Sequence, residues 1–197
     1  MKTEISDSKE FLPTLRGLSA WAGASAAVPL AAYFTSMSPS WPTGIVVATS
    51  SMELVAVWFV YQLLRPATRW RVNIVLFVSA LGIAQLSIAY LTLHSLYTFA
   101  VPATQERSTK GFVCTPVAKL VYEDKCPDLG KHELEAANYS AATLWTIESI
   151  IIVRVTLVVL WTLGFAALSV FAGTLAALQT RKSDERNGQR LYARPSV

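Results

Sequence analysis

The sequence predicts an all-α fold: an antiparallel four-helix transmembrane bundle with a disulfide-closed segment outside the membrane between helices three and four. Three observations carry this. Four apolar segments reach the roughly 20 residues that a bilayer crossing needs, where a soluble core helix needs about 10–14. The charges gather at residues 1–16, 65–71, 106–135 and 181–194, leaving the segments between nearly charge-free. Only 15% of the 197 residues are charged, against roughly 25% in an average soluble domain, while 53% are hydrophobic.

Residues 1–16 read as a cytoplasmic tail, followed by a four-span domain over residues 17–178. Span one covers about 17–37 and is too long for the apolar core of a cleavable signal peptide. Ser19, Gly23, Ala27 and Ala31 recur at every fourth position, which sets them on one helical stripe where another backbone can approach closely. Pro29 removes one intrahelical hydrogen bond and is expected to bend this span. The turn Ser38-Pro39-Ser40-Trp41-Pro42 carries no charge and an interfacial tryptophan.

Span two covers about 43–64 and closes at Arg65-Pro66. A basic loop, Arg65 to Arg71, leads into span three at about 72–97, with Pro102 marking its latest end. The polar segment 102–142 follows. The apolar stretch after it is too long for one crossing, so span four is placed at 155–178, about 36 Å of helix. Arg154 then sits at the outer interface, and residues 139–154 form a helical extension outside the membrane. Ser169, Gly173 and Ala177 repeat the small-residue stripe, which makes spans one and four expected packing neighbours. Residues 179–197 are polar, basic and expected to be disordered.

Orientation follows from the basic residues. The two tails and the 65–71 loop carry eleven Lys and Arg, while Arg107, Lys110, Lys119, Lys125 and Lys131 on the other side are balanced by acids. The positive-inside rule places both termini in the cytoplasm and residues 102–142 outside the cell or in a lumen. A plasma-membrane or secretory-pathway location is favoured. The net charge of +4 sits beside apolar segments, where it serves lipid headgroups rather than nucleic acid.

Cys114 and Cys126, the only cysteines, fall in the segment placed outside, as expected of one disulfide in an oxidising compartment. A redox pair would normally show Cys-x-x-Cys, which is missing. Glu53 lies about 18 Å along the helix from the cytoplasmic end of span two. An ionisable group at that depth costs at least about 2.5 kcal/mol and should face the bundle interior, protonated or hydrogen-bonded. Folding spans two and three together brings Gln85 to a similar depth, with Ser50, Ser51 and Ser79 as other possible partners. Two readings stand: a proton-relay, ion-path or ligand-anchoring carboxylate, or a packing hydrogen bond.

His94 and Arg154 are expected at the outer ends of their spans, an interfacial histidine and a snorkelling arginine. His132 with Glu133 and Glu135 reads as a wet helix start, so no metal site or cofactor is expected. Asn138-Tyr139-Ser140 matches the acceptor pattern for N-glycosylation. No metal-protease, phosphate-loop or serine-nucleophile motif occurs.

Two cytoplasmic ends, a tiny first outer loop, a short basic inner loop and a longer second outer loop with Cys114 and Cys126 resemble the tetraspan proteins of MARVEL type. More loosely they resemble tetraspanins, whose Cys-Cys-Gly motif is missing here. The MARVEL-type resemblance implies a role in membrane organisation, vesicle traffic or junction-like assembly, without catalysis. The reading that follows is a membrane scaffold or an accessory subunit of a larger complex. Its partners would be the bilayer and other subunits or copies of itself. The alternative is an oligomeric channel, transporter or membrane-embedded enzyme working through Glu53.

Overall fold

The computed structural model describes residues 3–102 and 107–192, with side chains described over 19–102 and 107–182. The chain is mostly helical. Its elements run α1 (Thr3–Phe34), α2 (Ile45–Leu64), α3 (Arg69–Tyr97), β1 (Thr98–Ala100), β2 (Arg107–Thr109), α4 (Pro116–Val121), α5 (Lys131–Ala136), α6 (Ala141–Leu144) and α7 (Ile147–Tyr192). Among the described residues, three helices are long and apolar enough to cross a membrane: Ile45–Leu64, Arg69–Tyr97 and Ile147–Lys182. Much of their apolar surface faces outward; Val47 and Val55 of α2 are 66% and 68% exposed. Water would make such a surface costly, whereas lipid solvates it.

Several expected boundaries move. α1 is continuous through Pro29, and Pro29 is fully buried. Residues 139–146 are not a helical extension: α6 is four residues long, Trp145 is extended, and α7 begins only at Ile147. At its other end α7 continues helically to Tyr192, where a disordered tail was expected from residue 179. Trp145 explains the late start, because its backbone pairs with Cys114 as an isolated antiparallel bridge instead of winding into helix. The all-α expectation also gives way locally, since β1 and β2 form an antiparallel pair in the register Phe99 opposite Ser108.

By contact density the chain divides into two units, 1–31, 46–84 and 164–197 in one, 32–45 and 85–163 in the other. In the first, α2 and α7 pack closely. Gly173 is the reason: a Cβ there would lie 2.9 Å from the Val60 side chain and 3.0 Å from the Val57 carbonyl. Ser169 and Ala177 are 1% exposed on the same stripe, so the small-residue face of α7 is consumed by α2. The stripe of α1 behaves otherwise. Ser19, Gly23, Ala27 and Ala31 are all exposed, and nothing lies within 4 Å of a Cβ built on Gly23. α1 meets α7 by another face, through Trp21, which packs on Tyr61, Ala176 and Ala177 and donates from Nε1 to Gln179 Oε1 at 2.9 Å. The stripe-to-stripe packing expected between spans one and four is therefore not formed.

Arg181 closes the end of α2. Its Nη2 donates to the carbonyls of Leu64 and Arg65 at 2.8 Å each, and to that of Ala67. Pro66 ends the helix, leaving its last carbonyls short of intrahelical donors; Leu64 O accepts from the Ala67 amide at 3.1 Å, and the Arg181 cation adds to it.

The second unit contains the Cys114–Cys126 disulfide and a small core around Trp145, which is 0% exposed. Cys114, Ala118, Leu129, Leu134, Leu144 and Ile150 surround it. Its indole donates from Nε1 to the Pro127 carbonyl at 3.1 Å. Thr115 caps α4, accepting from the Ala118 amide at 3.2 Å, with Pro116 following where no N–H is needed. Gly111 is required by packing: a Cβ there would lie 2.1 Å from Ser149 Oγ and 2.6 Å from Trp145 Cβ. A disulfide closing a loop of this length contributes about 3 kcal/mol.

Candidate functional site: a buried carboxyl on the second long helix

α2 contains neither Gly nor Pro, and its buried residues Ile45, Thr49, Glu53, Val57 and Tyr61 recur at every fourth position. That spacing sets them on one face. Glu53 is 2% exposed in the middle of that face, as expected of an acid that must avoid lipid. No expected partner holds it. Both Glu53 oxygens are buried without a hydrogen bond among the described residues, and so are Ser50 Oγ and Tyr61 OH. Gln85, the partner expected on α3, is exposed. Ser51 is exposed as well and donates to the Val47 carbonyl at 2.9 Å.

Apart from those of Ser50 and Tyr61, the buried hydroxyls described in this unit are committed elsewhere. Thr49 donates to Val46 O at 3.0 Å, Ser79 to Leu76 O at 3.0 Å, Ser169 to Phe165 O at 3.0 Å and Thr174 to Val170 O at 2.6 Å. Each turns back on its own helix, the usual outcome for Ser and Thr with no better acceptor. A carboxylate needs donors, and these donors are spent. Backbone N–H groups offer no relief, since within a helix they already bond the fourth carbonyl before them.

His94 and Arg154 lie in the other unit. His94, in the last turn of α3, is 6% exposed, with its Nε2 buried and unpartnered. Its Nδ1 lies 3.4 Å from Arg107 Nη1, and the same nitrogen donates to Thr98 Oγ1 at 2.9 Å. Tyr90, one turn before His94, stacks at 5.5 Å on both His94 and Trp161 and donates to the Met37 carbonyl at 2.6 Å. Tyr90 and Arg107 were not foreseen as members of this cluster; the i,i+4 spacing of Tyr90 and His94 is the one signal the sequence carried. Arg154 is half-buried with its Nε unpartnered.

Asn138 is exposed in a left-handed backbone conformation (φ 49°) directly after α5, and Cys114 and Cys126 form the disulfide. Glu133, dismissed in the sequence as part of a wet helix start, is instead buried at 4% exposure. It accepts from Lys125 Nζ at 2.7 Å and from the Gly130 amide at 2.9 Å. The Lys125 hydrogen bond and the backbone bonds hold its carboxyl down at about 2. The same pairing raises Lys125. His132 beside it is exposed. No group of three or more His, Cys, Asp or Glu among the described residues is placed to hold a metal ion.

No protein family, curated protein or solved structure matches the chain.

Proposed function

We propose that this chain is a four-span integral membrane protein with both termini cytoplasmic, acting as a scaffold or accessory subunit of a larger membrane complex. The observation that carries the reading is the contrast between two small-residue stripes. That of α7 is filled by α2, whereas that of α1, from Ser19 to Ala31, faces outward with open space over Gly23. In lipid, small residues bring helices together by allowing close backbone contact, so the outward stripe suits a helix from another chain. The span of α1 and the basic residues flanking the helices support the four-crossing topology. They also support an extracellular or lumenal place for residues 102–142. A disulfide-closed segment with a formed core is suited to protein contacts on that side, in keeping with the MARVEL-type layout.

Gly23→Leu separates the two stripes experimentally. In mild detergent this variant should keep the wild-type helical content and thermal midpoint but fail to co-extract with partner chains. Gly173→Leu, which drives a side chain into Val57 and Val60, should lose the fold itself. Wild-type assembly by a folded Gly23→Leu protein would refute the docking role of α1.

A further inference from the structure

Glu53 raises a question of charge that the scaffold reading does not answer. A carboxyl within an apolar span is ordinarily met by a base, by hydrogen-bond donors or by water-filled space. Here the first is missing among the described residues of its unit, and of the second only the Ser50 hydroxyl is uncommitted, making no hydrogen bond to it. In its unit, the described side chains able to carry charge are Glu53, Tyr61, Arg65, Arg69, Arg71, Arg181 and Lys182. Tyr61 lies two turns along the same face, about 12 Å away in rise, and its OH has no partner. The arginines begin at residue 65, about 18 Å along the axis, and Arg181 is committed to three backbone carbonyls there.

The register of α2 and α7 shows what stands opposite. Gly173 faces Val57 and Val60, and Arg181, eight residues on, binds the backbone of residues 64 to 67. The two helices thus advance together, and Ser169, four residues before Gly173, is level with Glu53, four before Val57. Ser169 is 1% exposed and its proton goes to Phe165 O, leaving only its acceptor lone pairs. Ser50 Oγ, three residues before Glu53 on the same helix, is a further oxygen without a partner. Around the Glu53 carboxyl the described helix faces therefore present hydroxyl oxygens and no cation. Its 2% exposure leaves no room for a side chain from a partner protein to reach it.

We propose that Glu53, with the Ser50 and Ser169 hydroxyl oxygens, is an intramembrane site for a small monovalent cation, a proton or an alkali-metal ion, exchanged reversibly with solution. An oxygen-only donor set suits both occupants: a proton bound to one carboxyl oxygen is shared with a hydroxyl acceptor, and an alkali-metal ion takes hard oxygen ligands. The site is independent of the outward stripe of α1, so loss of one role leaves the other intact.

Infrared spectroscopy of the full chain in sodium-free lipid vesicles tests it. Carboxyls in water are ionised at neutral pH. A carbonyl stretch of a protonated carboxyl should remain, shift on transfer to D2O and vanish as the pH is raised. It should be lost completely in Glu53→Gln and move in frequency in Glu53→Asp. Sodium added at constant ionic strength separates the occupants: loss of the band shows a metal ion competing for the site, and persistence shows the proton alone. The wild-type titration stands even if a variant fails to fold. Absence of the band in sodium-free wild-type protein, or a band that neither titrates nor exchanges in D2O, overturns the proposal.

Discussion

Glu133 and Glu53 are both withdrawn from solvent, at 4% and 2% exposure, in different units of the chain. Glu133 receives Lys125 Nζ at 2.7 Å and the Gly130 amide at 2.9 Å, while Glu53 receives no hydrogen bond among the described residues. The difference lies in what each backbone leaves available. Glu133 sits in the first turn of a short helix, where amides have no intrahelical acceptor and a carboxylate completes them. Glu53 sits in mid-helix, where the amides are used and the nearby hydroxyls have turned to their own carbonyls, save that of Ser50, which makes no bond to it. A buried acid at a helix start can be a structural tie. In the middle of an apolar helix it has no such tie.

The largest effect expected on the disulfide-bearing side of that comparison is from Trp145→Ala. Emptying the fully buried core should cost about 3–5 kcal/mol. Amide exchange across residues 107–150 should accelerate accordingly; a loss under about 1 kcal/mol would show that Trp145 does not organise this core.

Replacing each glutamate by Met sharpens the contrast further. Glu133→Met removes the tie to Lys125 and Gly130, so exchange at the α5 amides should speed up. Glu53→Met exchanges an unpaired polar group for an apolar one of similar size, and the thermal midpoint in detergent should hold or rise. Equal destabilisation by both would break the distinction.

The smallest and most specific effect is the pH dependence of Glu133. Its folded carboxyl is held at about 2 against an ordinary value of 4.5, so the stability it contributes is complete above about pH 4.5. That contribution declines as the pH falls from there toward 2, where the folded group also protonates. Denaturant unfolding of the disulfide-bearing segment between these values should show the decline in wild type and lack that component in Glu133→Gln. Identical slopes would remove Glu133 as the source.

Long apolar runs made α2, α3 and the membrane-length part of α7 legible, because a helix that meets lipid needs about 20 residues free of charge whatever its neighbours. Cys114 and Cys126 were equally legible as the one available pair. Element ends were not. α7 begins at Ile147 because the Trp145 backbone pairs with Cys114, a contact across thirty-one positions that hydropathy does not encode. Glu133 looked like surface because its neighbours Lys131, His132 and Glu135 are exposed; one residue of a polar run turns inward only where a lysine and a free amide await it.

The sequence by itself determined the mostly helical class, three segments able to cross a membrane, the disulfide and the inward direction of Glu53. These follow from local periodicity and from the cost of placing charge against lipid. Tertiary structure decided which small-residue stripe is filled, because Ser19–Ala31 and Ser169–Ala177 are alike in composition and only the packing of α2 on Gly173 tells them apart. It decided too that Glu53 stands without a partner among the described residues, since hydrogen-bond donors are allotted by three-dimensional neighbours and, Ser50 apart, the neighbouring hydroxyls had already been claimed by their own helices.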